Sequence, residues 1–407
     1  MVAVPVRSVE EQQRIVRGLA TPLPVERVPL AEAEGRVLAE DVVARFAVPP
    51  FTNSAMDGYA VRHADVVDVP VRLEVVGDIP AGARSAPEVG AGSAARIMTG
   101  APMPEGADTV VPVELTDQPR GEAPLPGRVE IRETVEFAKN VRYEGENVTP
   151  GDEVLAAGTL LTPAALGSLA SVGYGEVGVV RRPRVAVVTT GDELVDPGSL
   201  LAFGQIPESN SYLVAGLARK WGAEVVGPFR ATDDPDEFRA VIEQAVEQAD
   251  VVVTTGGVSV GAFDVVRAVL AEAEYQAVAM QPGKPQASGR ITTADGHSAV
   301  FLGLPGNPVS VYVSSWVFLR EVLGAFTGRS IPWRRLRLPA LEGWGCPPRR
   351  RQYIPVVVEP DGVRPAHAKG SGSHLIASLV LADALAVVGA DVDEVTAGDI
   401  VDVHLVD

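Results

Sequence analysis

The chain is 407 residues long, 46% hydrophobic and 22% charged, with a formal net charge of −18. That length predicts two to four domains with real cores, and the negative balance excludes a general nucleic-acid binder, which needs a positive surface to displace counterions. One cysteine, Cys346, excludes an internal disulfide framework and fits the cytosol, and five scattered histidines (His63, His297, His367, His374, His404) argue against a zinc site.

The N-terminus turns acidic and polar too soon for a signal peptide, and no run of 18 apolar residues reads as a membrane span. Helical periodicity begins at 8–20, and 28–44 reads as a helix followed by a strand-like piece. From about 46 the text is rich in proline and small polar residues. Residues 66–144 then hold short β-rich runs such as VRLEVVGDI, separated by Gly/Pro turns, which predicts a small β-domain. A helix returns after Thr162, a good N-cap with Pro163 at N1, and Gly173 is placed to end it. That return predicts that 145–182 rejoins 1–45 as a discontinuous linker domain, with 46–144 an inserted β-domain.

From 183 to 328, apolar strands (RVAVVTT, AEVVGPF, VVVTT, AVFLGL) alternate with amphipathic helices (210–222, 235–248, and one from Pro308). Strands apolar throughout and alternating with helices predict a three-layer parallel α/β domain. Residues 329–407 return to short β runs, read as a barrel-like or sandwich β-domain.

Ligands of an open parallel sheet bind beyond the C-terminal strand ends. Three ends here carry glycine-rich loops: Thr189-Thr190-Gly191-Asp192-Glu193, Thr254-Thr255-Gly256-Gly257-Val258-Ser259, and Leu304-Pro305-Gly306-Asn307-Pro308. Such glycines let the backbone approach a ligand, and successive N–H groups cradle phosphate; the bland alternative is that they only make tight turns. Glu193, Asp233 and Asp264 are carboxylates near this edge and could hold a hard cation such as Mg²⁺, although Asp233 also reads as a plain helix N-cap. Lys284, on the stiff Pro282-Gly283-Lys284-Pro285 loop, is a candidate anion contact or a solvated lysine; Arg349-Arg350-Arg351 reads first as a solvated charge run. No G-x-x-x-x-G-K-[ST] phosphate loop occurs.

Together, SAMDGYAVR (54–62), RIMTGAPMP (96–104), GADTVVPVE (106–114), TTGDEL (189–194), TTGGVSVG with Asp264, PGKP (282–285), LPGNPVS (304–310) and GSHLIASL (372–379) resemble the molybdopterin molybdenumtransferases, the MoeA-like proteins whose eukaryotic relative is the gephyrin E domain. The segments stand in family order along essentially the whole chain. The resemblance implies a cytosolic, elongated homodimer with an active site between subunits. It implies an enzyme that takes adenylylated molybdopterin and molybdate, uses Mg²⁺, releases AMP and leaves molybdenum on the pterin, and that could meet a molybdopterin adenylyltransferase.

Carried over by position, Asp57, Thr99 and Arg142 are the inserted domain's contributions, with Asp57 and Thr99 counted among the catalytic set. Glu193, Asp233 and Asp264 are the catalytic and metal-binding carboxylates. Gly256, Gly257 and Ser259 meet pterin phosphate, and Pro305 and Pro308 shape their loop. Lys284, Ser310, Arg350 and Ser373 meet molybdate. The sequence departs from the family at Gln281 and near Ala277, where lysines are common, and at Asn147, where aspartate is common. Competing readings are a tungstate-inserting variant, a molybdopterin adenylyltransferase, which would lack the β-domains at 46–144 and 329–407, and a non-catalytic scaffold, which predicts loss of the acidic set.

Overall fold

The computed structural model describes residues 6–121, 123–258, 265–368, 370 and 372–406. The chain falls into two compact units: residues 27–34 with 38–178, and residues 1–26 with 35–37 and 179–407.

The larger unit is organised by a six-stranded sheet in the order Glu224–Ala231, Arg184–Thr190, Val251–Thr255, Ser298–Leu304, Pro285–Thr292, Glu274–Ala277. The first four strands are parallel, with Val185 opposite Val251 and Val251 opposite Val300. The last two are antiparallel, so the sheet is mixed rather than purely parallel, a common edge variation in such folds. Period-two alternation divides the strand residues between two cores. Val185, Val187, Val251, Val253 and Leu302 pack with Val214 and Leu217 of the helix Asn210–Lys220, while Ala186, Val188, Val252 and Phe301 pack with Phe238 and Ile242 of the helix Pro235–Gln248. Burial on both faces is why these strands read as unbroken apolar runs.

The helix Val9–Leu19 starts where Ser8 accepts a hydrogen bond from the Glu11 N–H, and it buries Val9 and Val16 in the first of these cores. The helix itself therefore packs with the α/β sheet, whereas the following strands of 1–45 pair as the sequence grouping expects, Val25–Pro29 with Glu176–Val180 and Val42–Val43 with Glu153–Leu155. The helix expected within 28–44 does not form. The end of the strand Val25–Pro29, a single 3₁₀ turn (Leu30–Glu32) and two-residue strands (Val37–Leu38, Val42–Val43) occur there, and Gly35 takes φ +69°. Pro29 and this left-handed glycine break the apparent period.

The run Pro308–Phe326 is apolar and long enough to span a membrane by composition, yet 83% of its most apolar window is buried inside the unit, as befits a core helix. It includes a π turn at Ser315–Leu319. Against it packs the C-terminal sheet, ordered Met280–Gln281, Arg351–Glu359, Ala384–Val388, Ile400–Leu405, Arg335–Pro339. The two-residue strand Met280–Gln281 leaves the α/β region and pairs in parallel with Arg351–Gln352. This joins the two sheets at one point.

In the smaller unit, a five-stranded sheet runs Thr109–Pro112, Gly58–Val61, Ser93–Ile97, Val71–Ile79, Arg128–Ile131. Tyr59, Leu73 and Val111 fill one face and Ala60, Ile79 and Val110 the other. The helix Pro163–Ser171 begins as expected, with Thr162 accepting from the Ala165 N–H, and Gly173 follows it at φ +98°.

Where the C-terminal sheet meets the core helix, Trp333 stacks on Trp316 (centroids 4.7 Å apart) and packs at a tilt on His404 (4.5 Å), and the Arg320 guanidinium lies 4.0 Å from the Trp333 ring centroid. Burial, then the positive charges of Arg335 and Arg320, push His404 down to about 4. The unfolded chain binds a proton near pH 6.5 that the folded chain refuses until about pH 4, so stability falls as pH drops through this window and levels off below it. The loss is ~3 kcal/mol by linkage. His404→Phe, which keeps the stack, should remove this acid-linked loss in urea titrations at pH 7 and pH 4.5; an unchanged difference between the two pH values would contradict it.

Candidate functional site

Three loops meet at the C-terminal edge of the α/β sheet because their strands end in register. Thr189 pairs with Thr255, and Thr255 with Leu304. The Gly256 N–H donates to the Leu304 carbonyl (2.9 Å). A β-carbon built on Gly306 would lie 3.5 Å from the Gly256 α-carbon, and Gly256 itself takes φ +100°. The two turns thus lie in van der Waals contact, and the positive φ at Gly256 favours glycine there. The hydroxyls of Thr254 and Thr255, just behind the turn, are buried without hydrogen-bond partners.

On the strand Arg184–Thr190, the Thr190 hydroxyl shares its proton between Asp233 Oδ1 and the Thr232 carbonyl (3.0 Å each), and the Asp233 N–H donates to Asp192 Oδ1 (3.4 Å). The cap of the following helix is Asp234, which accepts from the N–H groups of Asp236 and Glu237. Asp233 is therefore not occupied as an N-cap, and Thr190 fixes it at the edge. The Glu193 carboxylate folds back over Gly191, where an added β-carbon would meet it at 2.5 Å. Two expected carboxylates, with Asp192 beside them, thus stand between the first two strand ends. Ser259 and Asp264 lie outside the described residues. Among the described residues no group of three or more ligating side chains is pre-assembled.

A second group gathers at the start of the helix Pro308–Phe326. The Val309 N–H donates to the Ser373 carbonyl (3.0 Å), which seats Ser373 beside Ser310. The Lys284 loop is pinned from below: Gln286 Nε2 donates to the Gly283 carbonyl and to Ser314 Oγ, both at 2.7 Å. Ser314 lies one helical turn beyond Ser310 on the same face. An added β-carbon at Gly283 would come within 2.9 Å of Ser314 Oγ, so this loop also needs its glycine. Arg350 Nη1 donates to Gln281 Oε1 (3.3 Å) across the strand junction, and Lys284 is exposed. Arg351 pairs with Glu10 at 2.5 Å, so the arginine run is not merely a solvated face.

In the smaller unit, Asp57 Oδ1 accepts from both the backbone N–H and the hydroxyl of Thr99, each at 2.7 Å. These two bonds, the backbone one first, hold the Asp57 carboxyl below its ordinary range. Arg142 pairs with Asn53 in a short ladder, and the Gly100 N–H donates to the Ser54 carbonyl, so the segments of Asp57, Thr99 and Arg142 are tied together. A cavity of about 500 Å³ opens beside Asp57, Tyr59, Arg96 and Arg120.

The sequence reading did not single out Asn210, Glu208 or Gln286. Asn210 Nδ2 donates to the Gly306 carbonyl (2.8 Å) while its Oδ1 is buried without a partner. Glu208, just before the helix Asn210–Lys220, accepts from the Ser211 N–H (2.9 Å). The available signal was a run of polar residues, Glu208-Ser209-Asn210, directly after Pro207. Gly257-Val258-Ser259-Val260-Gly261 has the spacing of a G-x-S-x-G nucleophile turn, but it runs outside the described residues. Gly173 to Gly178 has G-x-G-x-x-G spacing, yet it follows a helix and leads into a strand, the reverse of the dinucleotide-binding order.

Family profiles described as MoeA N-terminal region (domain I and II), probable molybdopterin binding domain, and MoeA C-terminal region (domain IV) match residues 7–173, 186–325 and 337–406. Molybdopterin molybdenumtransferase 2 of Mycobacterium tuberculosis is 40% identical over 409 residues, covering 96% of this chain and 98% of the relative. The chain belongs to the MoeA family. The molybdopterin molybdenumtransferase of a Nostoc species is 37% identical over 92% of this chain and 88% of its own. A crystal structure of the MoeA molybdopterin biosynthesis protein from Pyrococcus horikoshii, 31% identical, superposes with a TM-score of 0.81 over 98% of this chain and 99% of that one. Within this MoeA chain, the Asp57–Thr99 pair is open to direct test. In Thr99→Val the Asp57 carboxyl should titrate higher, closer to ~3.9 but still below it because the backbone bond survives. Carboxyl ¹³C titration reads this, and an unmoved midpoint would show that the hydroxyl does nothing for Asp57.

Proposed function

We propose that this protein is a molybdopterin molybdenumtransferase that inserts molybdate into adenylylated molybdopterin and releases AMP. The carrying observation is the convergence of three glycine-rich strand ends on one sheet edge in a chain that matches the family from end to end.

In this reading the N–H groups around Gly256 and Gly257 receive pterin phosphate, and Pro305 and Pro308 hold the facing turn rigid. Ser259 would extend the same cradle. Glu193 and Asp233, joined by Asp264, present hard oxygen donors. That set suits Mg²⁺, which takes one or two carboxylates and completes its shell with substrate phosphate and water. When bound, the cation supplies charge neutralisation at the phosphoryl oxygens during cleavage. Thr190 keeps Asp233 oriented toward that task. Molybdate, a dianionic substrate, is received by Lys284 and Arg350, with Ser310 and Ser373 offering hydrogen bonds near the helix N-terminus.

Asp57, ionised and held by Thr99, and Arg142 serve the reaction from the inserted domain. We place them in a homodimer active site, as expected for the family. The compartment proposed is the cytosol, and a molybdopterin adenylyltransferase is the proposed supplier of substrate.

Gln281 sharpens the test. It accepts from Arg350 where many relatives are expected to carry a lysine. Gln281→Lys adds a cation beside Arg350 and should lower half-saturation by molybdate by about 3- to 10-fold, the scale of ~1 kcal/mol for one added charge contact. The assay is AMP release from adenylylated molybdopterin with Mg²⁺, comparing molybdate, tungstate and no oxyanion. Oxyanion-stimulated release is expected in the unsubstituted chain, and the stimulating oxyanion names the substrate. Absence of release with the pterin still bound would contradict the transferase reading.

A further inference from the structure

At the opposite edge of the α/β sheet, where the parallel strands begin, a cavity of about 450 Å³ is lined by Glu26, Arg36, Arg181, Arg182, Arg184 and Glu224. Arg184 opens the strand that ends at Thr190, so this cavity lies a full seven-residue strand, ~20 Å, from the substrate loops. Every lining side chain is charged.

The lining is mostly arginine. Arg181 makes two bonds to Asp250 (2.7 and 3.0 Å), and Arg36 is bonded to Glu26 and to the Val180 carbonyl. Arg182 donates to the Gly222 carbonyl (3.3 Å). Four guanidiniums and two carboxylates line the cavity, in a chain whose net charge is −18. Arg36 is only 8% exposed, and its Nε–H has no acceptor. The Nε–H of Arg184 is likewise buried without a hydrogen-bond acceptor, 3.8 Å from the Asp250 carboxylate. Buried donors are nearly always satisfied, and these two, on residues that line the cavity, are not. The guanidinium of Arg182 is also disfavoured by burial and then by its neighbour Arg36, a repulsion that an anion would relieve.

We propose that this cavity is a second anion site, separate from the substrate edge, built for a compact multivalent oxyanion of the phosphate or pyrophosphate class. Arginine forks suit tetrahedral oxyanions through paired N–H donors. No apolar or aromatic side chain lines the cavity to hold a base or an acyl chain, which favours a bare, highly charged ion over a nucleotide.

The test is calorimetric titration of the full chain with inorganic pyrophosphate, without divalent cation. One saturable event is expected that persists in Lys284→Ala, weakens at least tenfold in Arg182→Gln/Arg184→Gln, and weakens with added salt. Should the double variant misfold, Arg184→Gln alone leaves the Arg181–Asp250 pair intact and should still weaken binding several-fold. ATP should bind this site no more tightly than pyrophosphate. Three results overturn the proposal: no saturable binding, binding lost in Lys284→Ala but kept in the arginine variants, or tighter binding of ATP through its base.

Discussion

The backbone contact between the Gly256 turn and the Gly306 turn constrains everything built around it. Two parallel strands, Val251–Thr255 and Ser298–Leu304, end level with one another, so the chain must leave both through the same few ångströms. The Gly256 N–H to Leu304 carbonyl bond and the near approach of the two glycines fix the floor of the candidate site. A side chain at Gly256 is strained by its positive φ whatever the space. Asn210 then ties a third segment to the same floor through the Gly306 carbonyl, and Asp233 is held alongside by Thr190.

The helix Pro308–Phe326 carries this arrangement into the rest of the larger unit. Its first turn meets Ser373, its second, through Ser314, meets the Lys284 loop, and its remainder is core. The two-residue strand Met280–Gln281 adds a backbone link from the same loop to the C-terminal sheet. The oxyanion-binding candidates are thereby set by rigid elements of two sheets rather than by one mobile loop, which is what binding a small, symmetric dianion requires. The cost is a buried cationic junction: Arg320, with Nε and Nη1 unpartnered and its pKa lowered to about 10 by burial, is stacked on Trp333 in place of full hydrogen bonding.

The unbroken apolar strands at 184–190, 251–255 and 298–304 and the loops at their ends were readable in the sequence because burial on both faces and tight turns leave strong local signals. The antiparallel hairpin at Pro285–Thr292 and Glu274–Ala277 was not, since Gln286, Ser288 and Arg290 interrupt the apolar pattern for reasons found only in tertiary partners. The helix expected in 28–44 failed because a suitable period was broken by Pro29 and Gly35. At 233–234 the sequence offered two aspartates before Pro235 and no way to divide their roles. The structure gives the cap to Asp234 and the edge position to Asp233. The Gln281–Arg350 bond joins residues 69 positions apart and has no local trace in either segment.

The central claim, that three strand ends form one substrate surface, is tested most directly by hydrogen exchange of the full chain with and without adenylylated molybdopterin. The account predicts that slowed exchange appears together in the segments 189–193, 254–257 and 304–309, while the edge strand at 274–277 is unchanged. Protection confined to a single one of these loops, or absent from all three despite saturating ligand, would contradict it.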